Sequence, residues 1–357
     1  MFTMAKQQAS FFKRRWKLLL NIVTIAALVV LVWAIRDQLG QTFANLFKVN
    51  AWLLLLIIPI QVLNYDAQAR LYRGLFAMVG NKLSYKFLFR TSLELNFVNH
   101  VFPSGGVTGI SYFGLRMRNG EEISGAKATV VQLLKVVLLV LSFEILIVLA
   151  MFFLAAEGHM NSLVLLLAAS LTTMLVMGTA GFAFVIGSRE RIAGFFTGLT
   201  RILNRLLNRL RPGSHPETIN TIKARKLFEE LHENYILFRK DRRQLREPFV
   251  WALMANVWEI MTIFVVYLAF GHFVNLGAVI LAYAVANFAG LVSVLPGGVG
   301  VYEGLMTLVL TATGVPSRLS LPVTVMYRVL STLLQIPPGY YYYHQTLKET
   351  KQPMKAN

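Results

Sequence analysis

The sequence predicts an all-α polytopic membrane protein, with about six full transmembrane helices and two re-entrant broken-helix hairpins in inverted repeats. Three observations carry that prediction. The 357 residues are 56% hydrophobic and only 15% charged, with a mean hydropathy of +0.57, whereas soluble domains carry roughly a quarter charged residues. Several apolar windows reach the ~20 residues a helix needs to cross a bilayer. Two glycine-rich breaks, one in each half, also interrupt apolar stretches: Phe102-Pro103-Ser104-Gly105-Gly106-Val107-Thr108-Gly109 and Leu295-Pro296-Gly297-Gly298-Val299-Gly300-Val301-Tyr302-Glu303-Gly304. Paired breaks at hydrophobic depth point to a transport site between internal repeats.

The elements follow in order. A first span is expected over Leu18 to Ile35; five basic residues and no acid precede it, which places the N-terminus in the cytoplasm. Its apolar part is too long for a cleaved signal peptide, and no small-x-small site follows. Arg36, Asp37 and Lys48 then mark an external loop flanked by Trp33 and Trp52. The second span starts near Ala51, is kinked by Pro59, and turns polar from Asn64 to Arg70. Asp66 and Arg70 are four apart, which suits either an i,i+4 pair or merely the wetted cytoplasmic end.

Phe87 to Val101 is too short and too polar for a comfortable span, and the chain restarts beyond the first break toward Arg116 and Arg118. About ten residues reach the bilayer midplane, so this stretch reads as a hairpin entering and leaving from the cytoplasm. Long helices follow from Ser124 to about Ala156 and from Leu163 to Ile186. Residues 188–247 alternate arginines with leucines and isoleucines, as in Arg201 to Arg211, describing basic amphipathic helices on the cytoplasmic surface. The second half spans from about Phe249 to Phe270 and runs inward from Leu276 to Leu295. It returns outward from Tyr302 to Thr313 and crosses last from Leu321 to about Tyr340. The Tyr340–Tyr343 cluster reads as an aromatic belt at the cytoplasmic interface. The organisation is therefore a first membrane half over 1–187 (break 102–109), a cytoplasmic insertion over 188–247, a second half over 248–345 (break 295–304) and a cytoplasmic tail over 346–357.

Composition also excludes functions. A net charge of +18 would suggest nucleic acid in a soluble chain. Here it belongs to cytoplasmic loops facing anionic lipid, in the inner membrane of the cell. With no cysteine and six scattered histidines, neither a thiolate site nor a metal cluster is expected. No His-Glu-x-x-His, Walker loop or Gly-x-Ser-x-Gly is present, so no catalytic residues and no cofactor are assigned. A transporter is expected rather than an enzyme.

At a broken helix the first backbone N–H groups lack partners and carry partial positive charge, and glycines let an anion approach them closely. Candidate substrate-binding residues are therefore Pro103, Ser104, Gly105, Gly106, Gly109 and Arg116 at the first break. At the second they are Pro296, Gly297, Gly298, Gly300, Tyr302, Glu303 and Arg328. Ionisable or strongly polar groups inside spans are functional candidates by default; Glu94, Lys135, Glu144, Asn256 and Glu259 are assigned to coupling or charge balance, with internal salt bridges as the plain alternative.

The two motifs together, Pro103-Ser104-Gly105-Gly106 with Gly109 and Arg116, and Pro296 through Glu303, resemble the lysylphosphatidylglycerol synthase transmembrane region family. The likeness runs from about residue 15 to 345. That family includes the flippase half of multiple peptide resistance factors; the resemblance implies two re-entrant segments around a lipid cavity and translocation of phospholipids, some of them aminoacylated. Aminoacyl-lipid synthesis is not implied, because the family's soluble transferase domain does not appear. Where the family often has a basic residue before the motif's glutamate, this chain has Tyr302. The expectation is a flippase for an anionic phospholipid or a polyprenyl-phosphate lipid, with membrane phospholipids as partners and no nucleic acid. A small-solute or ion-coupled transporter, or an accessory subunit of a glycosyltransferase or lipid-modifying enzyme, stays open beside it, as does a homo-oligomer.

Overall fold

The helix boundaries follow local chemistry. In the computed structural model, residues 36–46, 48–102, 107–188, 242–292 and 300–349 are described, with Val29, Trp33, Glu190, Arg191 and Gly194 besides. Nearly all of the expected span Leu18 to Ile35, the break residues Pro103–Gly106 and Pro296–Val299, almost all of the basic insertion and the end of the tail lie outside these residues. The first half contains α1 (Arg36–Leu46), α2 (Ala51–Leu54), α3 (Ile57–Met78), α4 (Tyr85–Val101), α5 (Val107–Glu121), α6 (Gly125–Ala156) and α7 (Ser162–Ile186). After a 3-10 turn at Arg242–Leu245 come α8 (Arg246–Ala269), α9 (Leu276–Val292), α10 (Val301–Ala312) and α11 (Ser317–Glu349). No strand occurs among the described residues. Ser84, Ser124 and Asn161 start α4, α6 and α7, each side-chain oxygen accepting from the backbone N–H three residues on, the usual way to satisfy an orphan donor at a helix start.

Five helical segments are long and apolar enough to cross a membrane: Ala51–Met78, Lys127–Ala156, Ser162–Val185, Arg243–Ala269 and Ser317–Lys348. α9 and α10 contain shorter apolar stretches, Leu276–Phe288 and Val301–Ala312. Lipid-facing side chains such as Val148, Phe152, Leu166 and Met177 remain exposed, as a bilayer-embedded surface requires.

Two expectations need correction. The stretch expected as a loop after the first span is largely helical: Arg36–Leu46 forms α1, which packs on α11, and its polar composition hides it from a hydropathy reading. Pro59, by contrast, interrupts the span from Ala51 as expected: α2 ends at Leu54 and α3 begins at Ile57, the proline ring excluding the carbonyl four residues before it. It sits in the first turn of α3, where its missing N–H costs little, and the chain tightens just before it through bonds such as Leu55 N–H to the Trp52 carbonyl and Ile58 N–H to the Leu55 carbonyl. The last helix does not end at the tyrosine cluster. It continues through Pro337 and Pro338 to Glu349, held by rings from the first half: Tyr343 lies 5.3 Å from Phe97 and 5.5 Å from Tyr112.

The halves exchange contacts in a reciprocal way. α3 packs on α8; α4 of the first half packs on α11 of the second, and α9 of the second packs on α6 of the first. Small residues permit both exchanges, as helix pairs in membranes require. A Cβ at Gly339 of α11 would stand 2.6 Å from Phe97 Cβ and 2.7 Å from the Leu93 carbonyl oxygen. A Cβ at Gly277 of α9 would overlap the Ala150 carbonyl of α6.

Hydrogen bonds also sort the ends. At one end Asn50 N–H donates to the Ala269 carbonyl, Asn275 to the Phe153 carbonyl and Asn161 to the Ala312 carbonyl. At the other, Lys127 donates to Asn81. The outer termini of α4 and α5 thus lie at the end that carries Lys82, Lys86, Arg118 and Lys127, and those of α9 and α10 at the opposite end.

Candidate functional site

Helix periodicity places polar residues three and four apart on single faces: Asn64 and Gln68 on α3, Asn96, Asn99 and His100 on α4, Asn256 and Glu259 on α8. Tyr283 and Asn287 on α9, and Arg328, Ser331 and Gln335 on α11, follow the same spacing. On a helix these spacings share a face. All of these faces converge on one chamber of about 450 Å³, completed by Lys135 and Leu139 of α6 and Tyr302 of α10. That size lies in the roughly 300–1,000 Å³ range of small-ligand sites.

A polar lattice fixes the chamber wall. Gln335 donates to Gln61 Oε1 at 3.0 Å, and Gln61 to Thr262 Oγ1 at 3.2 Å. Asn64 donates to the Ala255 carbonyl at 2.8 Å and accepts from Gln68 at 2.7 Å. Asn256 Nδ2 donates to Ser142 Oγ at 2.6 Å, and Asn96 Nδ2 to Tyr65 OH at 2.6 Å. Groups taken out of water are costly unless they are paired, and here side chains from both halves pair one another.

Four charged side chains organise the chamber. Lys135 Nζ donates to Gln68 Oε1 at 3.1 Å and to Tyr72 OH at 3.0 Å, and stands 4.5 Å from the Tyr72 ring centre. Glu259 accepts from Tyr327 OH at 3.1 Å. Arg328 Nη1 donates to Glu303 Oε1 at 2.7 Å, and its guanidinium lies 4.6 Å over the Tyr302 ring. Glu303, only 4% exposed, also accepts the Gly300 N–H on Oε2 at 2.6 Å. This is half of a capping box; the reciprocal half cannot exist because glycine has no side-chain acceptor. Gly300 adopts φ +88°, a conformation that L side chains rarely take.

The residues singled out from sequence therefore separate. Lys135, Asn256, Glu259, Tyr302 and Arg328 meet in the chamber, and Glu303 holds Arg328 from behind. Glu94 and Arg116 meet each other instead, at 3.0 Å, with side chains 1% and 10% exposed. Glu94 Oε2 also accepts from Tyr112 at 2.7 Å, and Oε1 from Thr346 of α11 at 2.8 Å; Arg116 stacks 4.7 Å over Phe87. Glu144 is half-buried on α6 and does not line the chamber. Gly109 packs so closely on Asn99 that a Cβ there would overlap its amide. Asp66 and Arg70 do form their i,i+4 pair, at 2.9 Å, with Tyr85 OH also donating to Asp66. Pro103, Ser104, Gly105, Gly106, Pro296, Gly297 and Gly298 lie outside the described residues.

Sequence reading missed the amide residues Asn99, Asn287 and Gln335 and the hydroxyls of Tyr327, Ser331 and Thr332 as wall residues. Their signal is the three- and four-residue polar stripe along an otherwise apolar helix.

Fold and chamber define a class: a polytopic helical membrane protein with a charged, amide-lined cavity between its halves. The family model described as "Lysylphosphatidylglycerol synthase TM region" matches residues 18–339, and the chain belongs to that family. It is similar to archaeal proteins named UPF0104 membrane proteins. With one from Methanocaldococcus jannaschii it is 20% identical over 324 residues, covering 89% of this chain and 92% of that protein. With one from Pyrococcus horikoshii it is 22% identical over 182 residues, 50% of this chain and 53% of that one. With one from Methanothermobacter thermautotrophicus it is 32% identical over 83 residues, 23% of this chain and 25% of that one. The chain thus spans a quarter to a half of two of these relatives and nearly the whole of the third.

Proposed function

We propose that the chain is a lipid transporter of flippase type. It passes a phosphate-bearing head group, the class that includes anionic phospholipids and polyprenyl phosphates, through the chamber while the hydrocarbon tails stay in the bilayer. The observation that carries this reading is the chamber itself: Lys135 and Arg328, cations able to meet a phosphate, stand among amides contributed by both halves. An intramembrane cation facing a polar cavity is a functional group by default. Membership of the lysylphosphatidylglycerol synthase TM family supports a lipid-related role.

Reciprocal packing of α4 on α11 and α9 on α6 supports two inverted repeats, each with a re-entrant pair, α4–α5 from one face and α9–α10 from the other. Basic residues gathered at the α4–α5 end support a cytoplasmic location for that end and for both termini, in the cell inner membrane. No nucleotide-binding motif stands in the sequence, so movement is passive or ion-coupled.

The test is a bleaching assay on unilamellar vesicles containing the purified protein and acyl-chain-labelled phospholipids. Protein should expose inner-leaflet label to dithionite far faster than empty vesicles do. Lys135→Gln should slow exposure about tenfold or more, the scale of one lost charge-assisted hydrogen bond. Wild-type vesicles that bleach no faster than empty ones would sink the proposal.

A further inference from the structure

The chamber's charges are arranged for a ligand bearing both signs. Arg328 already has a carboxylate against it: Glu303 sits at 2.7 Å and is almost wholly buried. Lys135 and Glu259 have no such partner among the described residues. Lys135 is held by two neutral oxygens, Gln68 Oε1 and Tyr72 OH, and the carboxylate of Glu259 by the neutral Tyr327 OH. Both are only partly buried, both line the same chamber, and they form no ion pair with each other.

An ammonium and a carboxylate kept apart in one low-dielectric chamber forgo their mutual attraction, and each bears its own desolvation cost. A ligand that is cationic at one point and anionic at another recovers both terms. A singly anionic ligand recovers only that of Lys135 and leaves Glu259 facing added negative charge.

We infer that the head group recognised here is a net-neutral zwitterion, a phosphodiester carrying a primary amine, with Lys135 contacting the phosphate and Glu259 accepting hydrogen bonds from the ammonium. This inference rests on the proposal that the chamber admits a phospholipid head group, and it selects one class among phosphate-bearing lipids. Neutral walls fit the same ligand. The amides of Asn64, Asn96, Asn256 and Asn287 supply both donors and acceptors, and Tyr283 and Tyr327 line the same chamber as Glu259, aromatic neighbours of a kind that tolerates an ammonium.

The experiment uses the full chain in phosphatidylcholine vesicles with trace acyl-chain-labelled phosphatidylethanolamine or phosphatidylglycerol, and reads the ratio of their bleaching rates. Wild type should move the ethanolamine lipid faster, by about tenfold, the worth of one charge-assisted contact. Glu259→Gln should bring the ratio to one or invert it, with the glycerol lipid moving no slower than before. Equal movement of both lipids by wild type, or faster movement of the glycerol lipid, overturns the inference while leaving lipid transport standing, and it does so even if the variant fails to fold. A Glu259→Gln protein that slows both lipids alike at an unchanged ratio also overturns it, and assigns Glu259 to proton carriage instead. Movement of neither lipid by wild type overturns the inference and the transport reading together.

Discussion

In the α4–α5 pair Glu94 closes onto Arg116 of the neighbouring helix and also accepts from Tyr112 and Thr346. In the α9–α10 pair Glu303 reaches out to Arg328 of α11 and so sets a guanidinium at the chamber wall. The ingredients are the same, a buried carboxylate, an arginine and an adjacent tyrosine, but the outcomes differ because the arginine stands in different places. Arg116 lies on the second arm itself and stacks on Phe87 of the first, so its charge is spent inside the pair. Arg328 stands on a long helix that borders the cavity. The first pair is a staple tying α5 to α4 and α4 to the last helix; the second holds a cation at the chamber wall.

Substitutions should separate the two. Arg328→Gln carries the largest expected effect. It should slow lipid movement tenfold or more, and it leaves Glu303 buried without its cation, a loss of about 3–5 kcal/mol visible as a lower melting midpoint in detergent. Glu94→Gln should destabilise on the same scale of about 3–5 kcal/mol by stranding Arg116, yet keep the lipid-movement rate per folded molecule. A rate that falls with Glu94→Gln while the midpoint holds would erase the distinction between staple and site. Asp66→Asn, at the exposed rim pair, should change stability by no more than about 1 kcal/mol and leave lipid movement as it is.

Much of the fold was legible because its signals are local. Ser124 and Asn161 cap α6 and α7, and the long apolar runs of α3, α6, α7, α8 and α11 mark them as helices able to cross a membrane. α1 was not legible: a polar helix of Arg36–Leu46 owes its place to packing on α11, which no window on its own sequence reports. The same holds for α11 beyond Tyr340, where Phe97 and Tyr112 hold a proline-bearing helix in register. At the site, Lys135, Glu259 and Arg328 stood out as charges in apolar runs. Their division of labour did not, because a sequence shows neither that Glu94 pairs with Arg116 nor that Glu259 has no ion-pair partner among the described residues. Residues such as Asn99 and Gln335 became wall residues only once seven helices had met.

The central claim, that lipid head groups travel through this chamber, is most directly tested by filling it. Thr332 lines the chamber on α11 and is only partly buried, so Thr332→Trp places an indole in the cavity without removing any charge. In reconstituted vesicles the filled protein should elute and melt like wild type and bleach inner-leaflet lipid no faster than empty vesicles do. A filled chamber that still moves lipid at the wild-type rate would contradict the account.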